Sequence, residues 1–171
     1  FCQQQSGTIM LKYWKYSAAL WVIMPATTSL AADESIALRD HPFWQFDLDE
    51  NHTADVTLAD VDGDGDLDIL TANGRHWAEQ DFVYLNSGDG RMLEANYLGH
   101  SKSASYTVQA GDLDGNGTID AVVVRDKLDA LVYLNDGTGT YQFSAAVKDS
   151  KGNARSAALI DMDGDTFPDL L

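Results

Sequence analysis

The stretch Asp60-Val61-Asp62-Gly63-Asp64-Gly65-Asp66-Leu67-Asp68 is the first of three copies of one pattern in the chain. The second copy is Asp112-Leu113-Asp114-Gly115-Asn116-Gly117-Thr118-Ile119-Asp120, and the third is Asp161-Met162-Asp163-Gly164-Asp165-Thr166-Phe167-Pro168-Asp169. The copies begin 52 and 49 residues apart. A second motif is also repeated: its two copies, Tyr84–Gly90 and Tyr133–Gly139, begin 49 residues apart. The chain is therefore built from a structural unit of about 50 residues rather than from one isolated loop.

Each copy has the spacing of a calcium-binding loop. Oxygen ligands at positions 1, 3 and 5 converge when the chain curls tightly, position 7 offers its carbonyl, and position 9 closes the site with a carboxylate. We predict up to three Ca²⁺ ions. The predicted side-chain ligands are Asp60, Asp62, Asp64 and Asp68; Asp112, Asp114, Asn116 and Asp120; and Asp161, Asp163, Asp165 and Asp169. The predicted carbonyl ligands are Asp66, Thr118 and Phe167. The third loop departs from the others because Thr166 replaces glycine at position 6 and Pro168 stiffens position 8.

Other interpretations of the loops are weaker. Magnesium demands a near-ideal octahedron and keeps its waters, and softer metals call for His or Cys, which the loops lack. An acidic turn that merely solvates well is the simplest alternative. An EF-hand would require a glutamate at position 12, where Thr71 and Val123 stand, and flanking helices.

The residues around the loops instead predict strands, because they are rich in β-branched side chains and alternate in polarity. For the second repeat we predict four strands, at Tyr106–Ala110, Ile119–Arg125, Ala130–Asn135 and Tyr141–Ser144. The Gly-rich words after Asn86 and Asn135 supply the turn from the third strand to the fourth. Repeats of about 50 residues with four strands are typical of β-propeller blades. We therefore predict an all-β fold, a fragment of a calcium-binding β-propeller with four-stranded antiparallel blades.

The acidic loop between two strands, followed by Tyr-Leu-Asn and a Gly-rich turn, resembles the FG-GAP or VCBS-type repeats of bacterial exported proteins, which are relatives of the integrin α-subunit propeller. The resemblance covers roughly Ala54 to Leu171. It implies that calcium binds between the first and second strands of each blade. The Phe-Gly and Gly-Ala-Pro words of the integrin-type repeat are missing, so the resemblance does not extend to integrin-like ligand recognition.

We expect the sequence to be a piece of a longer gene product, with two complete blades and the start of a third in residues 54–171. Residues 32–53 form a lead-in, in which Phe43–Phe46 is a candidate outer strand of a preceding or closing blade. Such a piece would need the missing blades to cover its sheets.

The N-terminal residues 10–31 have the layout of a secretory signal peptide. In order, they contain Met10, Lys12, Lys15, an apolar run over Ala18–Met24 and small residues up to a cleavage site near Ala31. Residues 1–9 would then be upstream read-through. A single membrane anchor is the alternative, although the apolar run is shorter than the ~20 residues that a spanning helix needs. We expect a secreted, periplasmic or cell-surface protein with no transmembrane segment in the mature chain.

The charge of the chain limits its partners. There are 27 acidic and 11 basic residues, for a net charge of -16, and loss of Lys12 and Lys15 with the signal peptide would take it to -18. This charge disfavours nucleic acid, and it opposes folding unless cations neutralise it. Cys2 is the only cysteine, so no disulfide scaffold can form.

The basic residues point to one face of the predicted blades. Seven of them fall in or beside the connections at the end opposite the acidic loops: Arg75, Lys102, Arg125, Lys127, Lys148, Lys151 and Arg155. We predict that this face, with His76, Trp77 and His100, meets an anionic glycan or cell-surface partner. The alternative is that basic residues merely avoid the neighbourhood of the calcium loops.

The sequence offers little support for catalysis. It has no recognisable nucleophile motif, and the nearest acids outside the loops are Glu79 and Asp81 beside Trp77, for which an exposed polar loop is the simpler explanation. We predict no enzyme activity and a binding or adhesion scaffold with structural calcium. The alternative is the propeller portion of a secreted polysaccharide-active hydrolase or lyase whose catalytic residues lie elsewhere.

Overall fold

A computed structural model describes residues 51–171 of the chain. The predicted signal peptide and the predicted strand at Phe43–Phe46 lie outside these residues. The described part is all-β, as predicted, and consists of ten strands. They are β1 (Thr53–Ala59), β2 (Asp68–Asn73), β3 (Phe82–Asn86), β4 (Met92–Tyr97), β5 (Ser105–Gly111), β6 (Asp120–Arg125), β7 (Leu128–Asn135), β8 (Tyr141–Ala146), β9 (Leu159–Ile160) and β10 (Asp169–Leu170). No helix in residues 51–171 is long and apolar enough to cross a membrane.

The strands form two equivalent four-stranded antiparallel sheets and one hairpin. Blade 1 has the order β1-β2-β3-β4, blade 2 has the order β5-β6-β7-β8, and β9 pairs with β10. The register is the same in each unit, because Ala59 pairs with Asp68, Gly111 with Asp120 and Ile160 with Asp169. Each acidic nonapeptide therefore connects the first strand of its unit to the second.

The four strands predicted for the second repeat are confirmed, with shifts at their ends. Strand β7 begins at Leu128, two residues before the predicted start, because Asp126 and Lys127 alone make the turn from β6. Lys127 adopts a φ of 56° there, which a sequence pattern does not reveal. Strand β8 continues to Ala146, and β9 is limited to Leu159–Ile160.

Burial is deepest on the second strand of each blade. All six residues of β2 are buried, as are the first five of β6, whereas the outer strands β4 and β8 are mostly exposed. Both faces of the second strands are covered because successive sheets pack face to face. One core cluster contains Leu70, Val83 and Leu98 of blade 1 together with Val108 and Tyr133 of blade 2.

A second cluster joins blade 2 to the β9–β10 hairpin. Its buried members are Val122, Val124 and Ala130, and Leu159 and Leu170 pack against them. Each sheet is thus stabilised by apolar contact with the next unit, as expected for repeat proteins in which each module packs on its neighbours.

Polar contacts fix how blade 1 meets blade 2. The Thr57 hydroxyl donates to the carbonyl of Val108 at 2.6 Å. Asp55 accepts hydrogen bonds from the Thr107 hydroxyl and from the Val108 amide. Because these bonds join the first strands of the two blades, they set the register between the blades as well as the distance.

Candidate metal centres

The three acidic loops, Asp60–Asp68 (loop 1), Asp112–Asp120 (loop 2) and Asp161–Asp169 (loop 3), share one backbone conformation. The residues at positions 4 and 6 have positive φ in every loop: Gly63 (76°), Gly65 (97°), Gly115 (77°), Gly117 (86°), Gly164 (81°) and Thr166 (78°). Glycine adopts this conformation without steric cost, whereas a β-branched residue does not. Loop 3 therefore keeps the same turn with a strained residue, Thr166.

The aspartate at position 1 organises each turn. One of its carboxylate oxygens accepts the amide of position 4, at 2.8 Å for Asp60, 2.8 Å for Asp112 and 2.7 Å for Asp161. The other oxygen accepts the amide of position 6, at 3.0, 2.9 and 2.9 Å respectively. The loop thus closes around this carboxylate.

Positions 3 and 5 continue the same scheme. The oxygen of Asp62, Asp114 or Asp163 accepts the amide of position 5 at 3.2, 3.1 and 3.1 Å. The oxygen of position 5 accepts the amide of position 7, at 2.9 Å for Asp64, 2.7 Å for Asn116 and 2.9 Å for Asp165. Each side chain is therefore held in place by the backbone two residues further on, an arrangement that Asp and Asn favour in turns.

The aspartate at position 9 ties the loop to the sheet. Asp68 and Asp120 are both fully buried. Asp68 accepts the amides of Val61 at 2.8 Å and of Asn86 at 2.9 Å, and Asp120 accepts the amides of Leu113 and Asn135, both at 2.9 Å. In loop 3 the exposed Asp169 accepts the amide of Met162 at 3.1 Å.

The folded loops bring the carboxylates of positions 1, 3 and 9 together. In each loop, three carboxylate oxygens lie within 4.8 Å of one another, one from each residue: Asp60, Asp62 and Asp68; Asp112, Asp114 and Asp120; and Asp161, Asp163 and Asp169. Oxygens bound to the same calcium at ~2.3–2.6 Å can be at most about 5 Å apart. The three clusters therefore have the donor type and the spacing to hold a metal ion.

The other predicted ligands lie near the clusters but outside them. Asp64 and Asp165 do not belong to the groups of close carboxylates, and each accepts the amide of position 7. The Asn116 oxygen accepts from both the amide and the hydroxyl of Thr118. The ligand roles of position 5, and of the carbonyls of Asp66, Thr118 and Phe167, stay predictions.

The electrostatics of loop 1 favour a cation. Burial raises the pKa of the Asp62 carboxyl above its ordinary value, and the neighbouring carboxylates of Asp68, Asp64 and Asp60 raise it further, against the effect of the Asp64 amide. Like charges held this close disfavour the ionised form, and a bound cation would reverse that effect.

Two asparagines contribute to the loops in a way that the sequence analysis did not identify. Besides its amide bond to Asp68, Asn86 donates through Nδ2 to the carbonyl of Leu67 at 3.0 Å. Asn135 donates through Nδ2 to the carbonyl of Ile119 at 3.1 Å and to that of Val61 in loop 1 at 2.7 Å. The signal was present, because both end the Tyr-Leu-Asn word that recurs at a spacing of 49 residues.

The acids considered for catalysis have structural partners. Asp81 is buried and accepts the amide of Asn73 and the hydroxyl of Ser105, both at 2.7 Å. Burial raises its pKa to about 7, although these bonds and the charge of Arg125 oppose the shift. Glu79 accepts the backbone amide of His52 at 2.7 Å and lies 2.6 Å from its Nδ1. Asp81 thus joins the end of β2 to the start of β5, and Glu79 joins the residue before β1 to the connection between β2 and β3.

Comparison with known proteins supports the resemblance seen in the loops. A family model described as FG-GAP-like repeat matches residues 60–123, from the first aspartate of loop 1 through loop 2 and into β6. Searches of curated proteins and of solved structures each found no significant match. The stretch that carries the first two candidate metal centres is therefore similar to an FG-GAP-like repeat, in agreement with the resemblance of its loops.

Proposed function

We propose that the chain is a calcium-stabilised propeller module of an exported protein, and that it acts as a binding or adhesion scaffold. The observation that carries the proposal is the recurrence of the same carboxylate cluster in three loops, with equivalent backbone amides holding the carboxylates of positions 1 and 3. An acidic turn that is only solvated does not require the carboxylates of three aspartates to lie close together. FG-GAP repeats are typically non-catalytic scaffold modules and often bind calcium, which supports the proposal.

Each site would join its connecting loop to the second strand of the unit. Positions 1 and 3 belong to the connecting loop, whereas position 9 is the first residue of the second strand. Calcium would supply two positive charges and coordination by hard oxygens at the point where the chain reverses. The buried Asp68 and Asp120 are also bonded to the end of the third strand, so an ion in loop 1 or loop 2 would stabilise three strands of its blade.

The role proposed for calcium is structural. Extracellular modules bind calcium at ~10⁻⁴ to 10⁻³ M, a range in which the ion is bound outside the cell and released inside it. FG-GAP repeats are typical of extracellular proteins, and export is also what the N-terminal sequence predicts. Folding and function outside the cell would therefore be linked to the same ion.

Titration calorimetry on the full chain, freed of metal with EGTA and dialysed, tests this proposal. We expect heat of Ca²⁺ binding for the wild type. The triple variant Asp62→Asn, Asp114→Asn and Asp163→Asn should lose most of this heat, because each asparagine keeps the loop hydrogen bond but removes a charged ligand. Asp149→Asn, a like change at an exposed site outside the loops, is the control. Absence of binding heat in the wild type, or equal heat in the triple variant, would contradict the proposal.

A further inference from the structure

The two ends of the described blades differ in charge. The acidic loops define one end, here called the loop end. Of the eight basic residues in 51–171, seven lie in or beside the connections at the other end, and Arg91 alone lies at the loop end. The seven are Arg75, Lys102, Arg125, Lys127, Lys148, Lys151 and Arg155. We call this the basic end.

A pocket opens at the basic end where blades 1 and 2 meet. Its volume is about 370 Å³, and it is lined by Ala54, Arg75, His76, Tyr106 and Arg155. Ala54 and Tyr106 come from β1 and β5, while Arg75 and His76 follow β2. The lining contains two guanidinium groups and no carboxylate, which is unusual in a chain with 27 acidic residues.

Three of the side chains that line the pocket are held in fixed positions. The guanidinium carbon of Arg155 lies 3.9 Å from the centroid of the Tyr106 ring, and its Nη1 is 3.2 Å from Asp126 Oδ1. The Tyr106 hydroxyl lies 3.0 Å from Nδ1 of His76. Arg155 is therefore stacked and oriented before any ligand arrives, which lowers the entropy cost of binding.

Arg75, which also lines the pocket, is available for a ligand. Its backbone amide donates to the carbonyl of Ser105, but within residues 51–171 its guanidinium has no hydrogen-bond or ion-pair partner. Arg75 has a φ of 49°, in the left-handed region that favours glycine. Lys127, at the same place in blade 2, has a φ of 56°. Both repeats thus place a basic residue at a position where glycine would adopt the backbone conformation with less strain. Strained residues of this kind cluster at functional sites.

We propose that this pocket binds the carboxylate of an acidic sugar unit in an anionic polysaccharide. A guanidinium recognises a carboxylate through two parallel hydrogen bonds, and the unpaired Arg75 can supply them. The volume is within the range of small-molecule sites. Trp77 lies outside the lining, but it is 61% exposed, lies edge-on to His76 and stacks on His52, and it adds an apolar surface beside the pocket for a sugar ring. The inference rests on the proposed role as a binding scaffold and names its ligand class.

The test uses a tetrasaccharide of glucuronic acid and its carboxyl-reduced, neutral counterpart, with the full chain saturated with Ca²⁺. We expect the wild type to bind the acidic form only. Arg75→Asn should weaken that binding about tenfold or more, since asparagine tolerates the left-handed backbone but removes the charge. Arg91→Asn makes the same change at the loop end and should leave binding unchanged.

Three results would overturn the inference: no binding of the acidic tetrasaccharide, equal binding of the neutral one, or equal losses in Arg75→Asn and Arg91→Asn. The last would indicate attraction by overall charge instead of a pocket. Calcium titration of both variants separates this from the proposed function, because neither substitution touches an acidic loop and both variants should give wild-type calcium heats.

Discussion

At the scale of single residues, the aspartates at positions 9 and 3 of a loop have different roles. Asp120 is fully buried, and both of its oxygens accept backbone amides, from Leu113 and from Asn135. Asp114 is exposed and accepts one amide, from Asn116. One carboxylate is thus part of the hydrogen-bonded sheet, while the other mainly contributes charge to the carboxylate cluster.

This difference gives a prediction that does not depend on calcium. Asp120→Asn should lower the free energy of unfolding by about 1–3 kcal/mol even in EGTA, because its amide group would face a buried N–H donor. Asp114→Asn should leave the calcium-free stability within about 0.5 kcal/mol of wild type. Urea unfolding of the two variants in EGTA measures the difference. Equal stabilities would show that the position 9 carboxylate is not a structural acceptor.

The buried Asp81 makes stability depend on pH. Its pKa is about 7 in the folded chain, against 3.8 for the exposed group, because burial disfavours the charged form. Between these values the folded state binds more protons than the unfolded state, so the free energy of unfolding from this group falls as pH rises toward 7. Arg125 and Tyr133 are the other titratable groups coupled to it.

Asp81→Asn should remove this dependence. Asparagine resembles the protonated acid, so at saturating calcium the variant should gain stability over wild type as pH rises from 5 to 8. The gain should be on the order of 3 kcal/mol, since each pKa unit corresponds to about 1.4 kcal/mol. Urea unfolding at several pH values measures it, with Asp149→Asn as an exposed control. A constant difference between Asp81→Asn and wild type would contradict the buried, protonated carboxyl.

At the scale of structural elements, the turn between β7 and β8 presses against blade 1. Gly139 has a φ of 74°, and a Cβ atom added there would lie 2.7 Å from Leu85 Cδ2. Gly137 in the same turn has a φ of 85°, but its nearest neighbour, Thr118 Cγ2, would be 3.3 Å away within the same blade. The close approach at Gly139 thus belongs to the contact between blades.

Comparing the stabilities of the Gly137→Ala and Gly139→Ala variants separates the effect of the contact between blades from the effect of backbone conformation. Gly137→Ala should cost about 1 kcal/mol from backbone conformation. Gly139→Ala should cost an additional ~1–2 kcal/mol, because Leu85 must move. Differential scanning calorimetry at saturating calcium measures both. Equal losses would mean that the turn does not determine how closely the blades pack.

Much of the secondary structure and of the loop geometry could be predicted from the sequence. The four strands per repeat followed from alternating β-branched residues and from Gly-rich turns. The spacing of the aspartates predicted that positions 1, 3, 5 and 9 converge, and the structure brings together the carboxylates of positions 1, 3 and 9. The contacts between blades could not, because alternation tells which face of a strand is buried but not what covers it. The bond from Asn135 to Val61 joins residues 74 positions apart. The repeated Tyr-Leu-Asn marks Asn135, but it does not indicate which residue of blade 1 this side chain contacts.

At the scale of the whole chain, the large negative net charge opposes folding. The net charge is -16, and nine of the acidic residues converge in groups of three at one end of the described blades. Carboxylates held this close repel one another, so without cations the loops should resist closing. Calcium would therefore act on the stability of the entire module, because the loops also anchor the strands that pack between blades.

The thermal unfolding midpoint of the full chain, in excess Ca²⁺ and in EGTA, tests this account most directly. A ligand at one hundred times its dissociation constant stabilises the folded state by ~2.7 kcal/mol per site, which predicts a midpoint higher by about 10 °C or more in calcium. Magnesium at the same concentration should reproduce little of the shift. Identical midpoints in calcium and in EGTA would contradict the claim that these acidic loops are metal sites that hold the blades together.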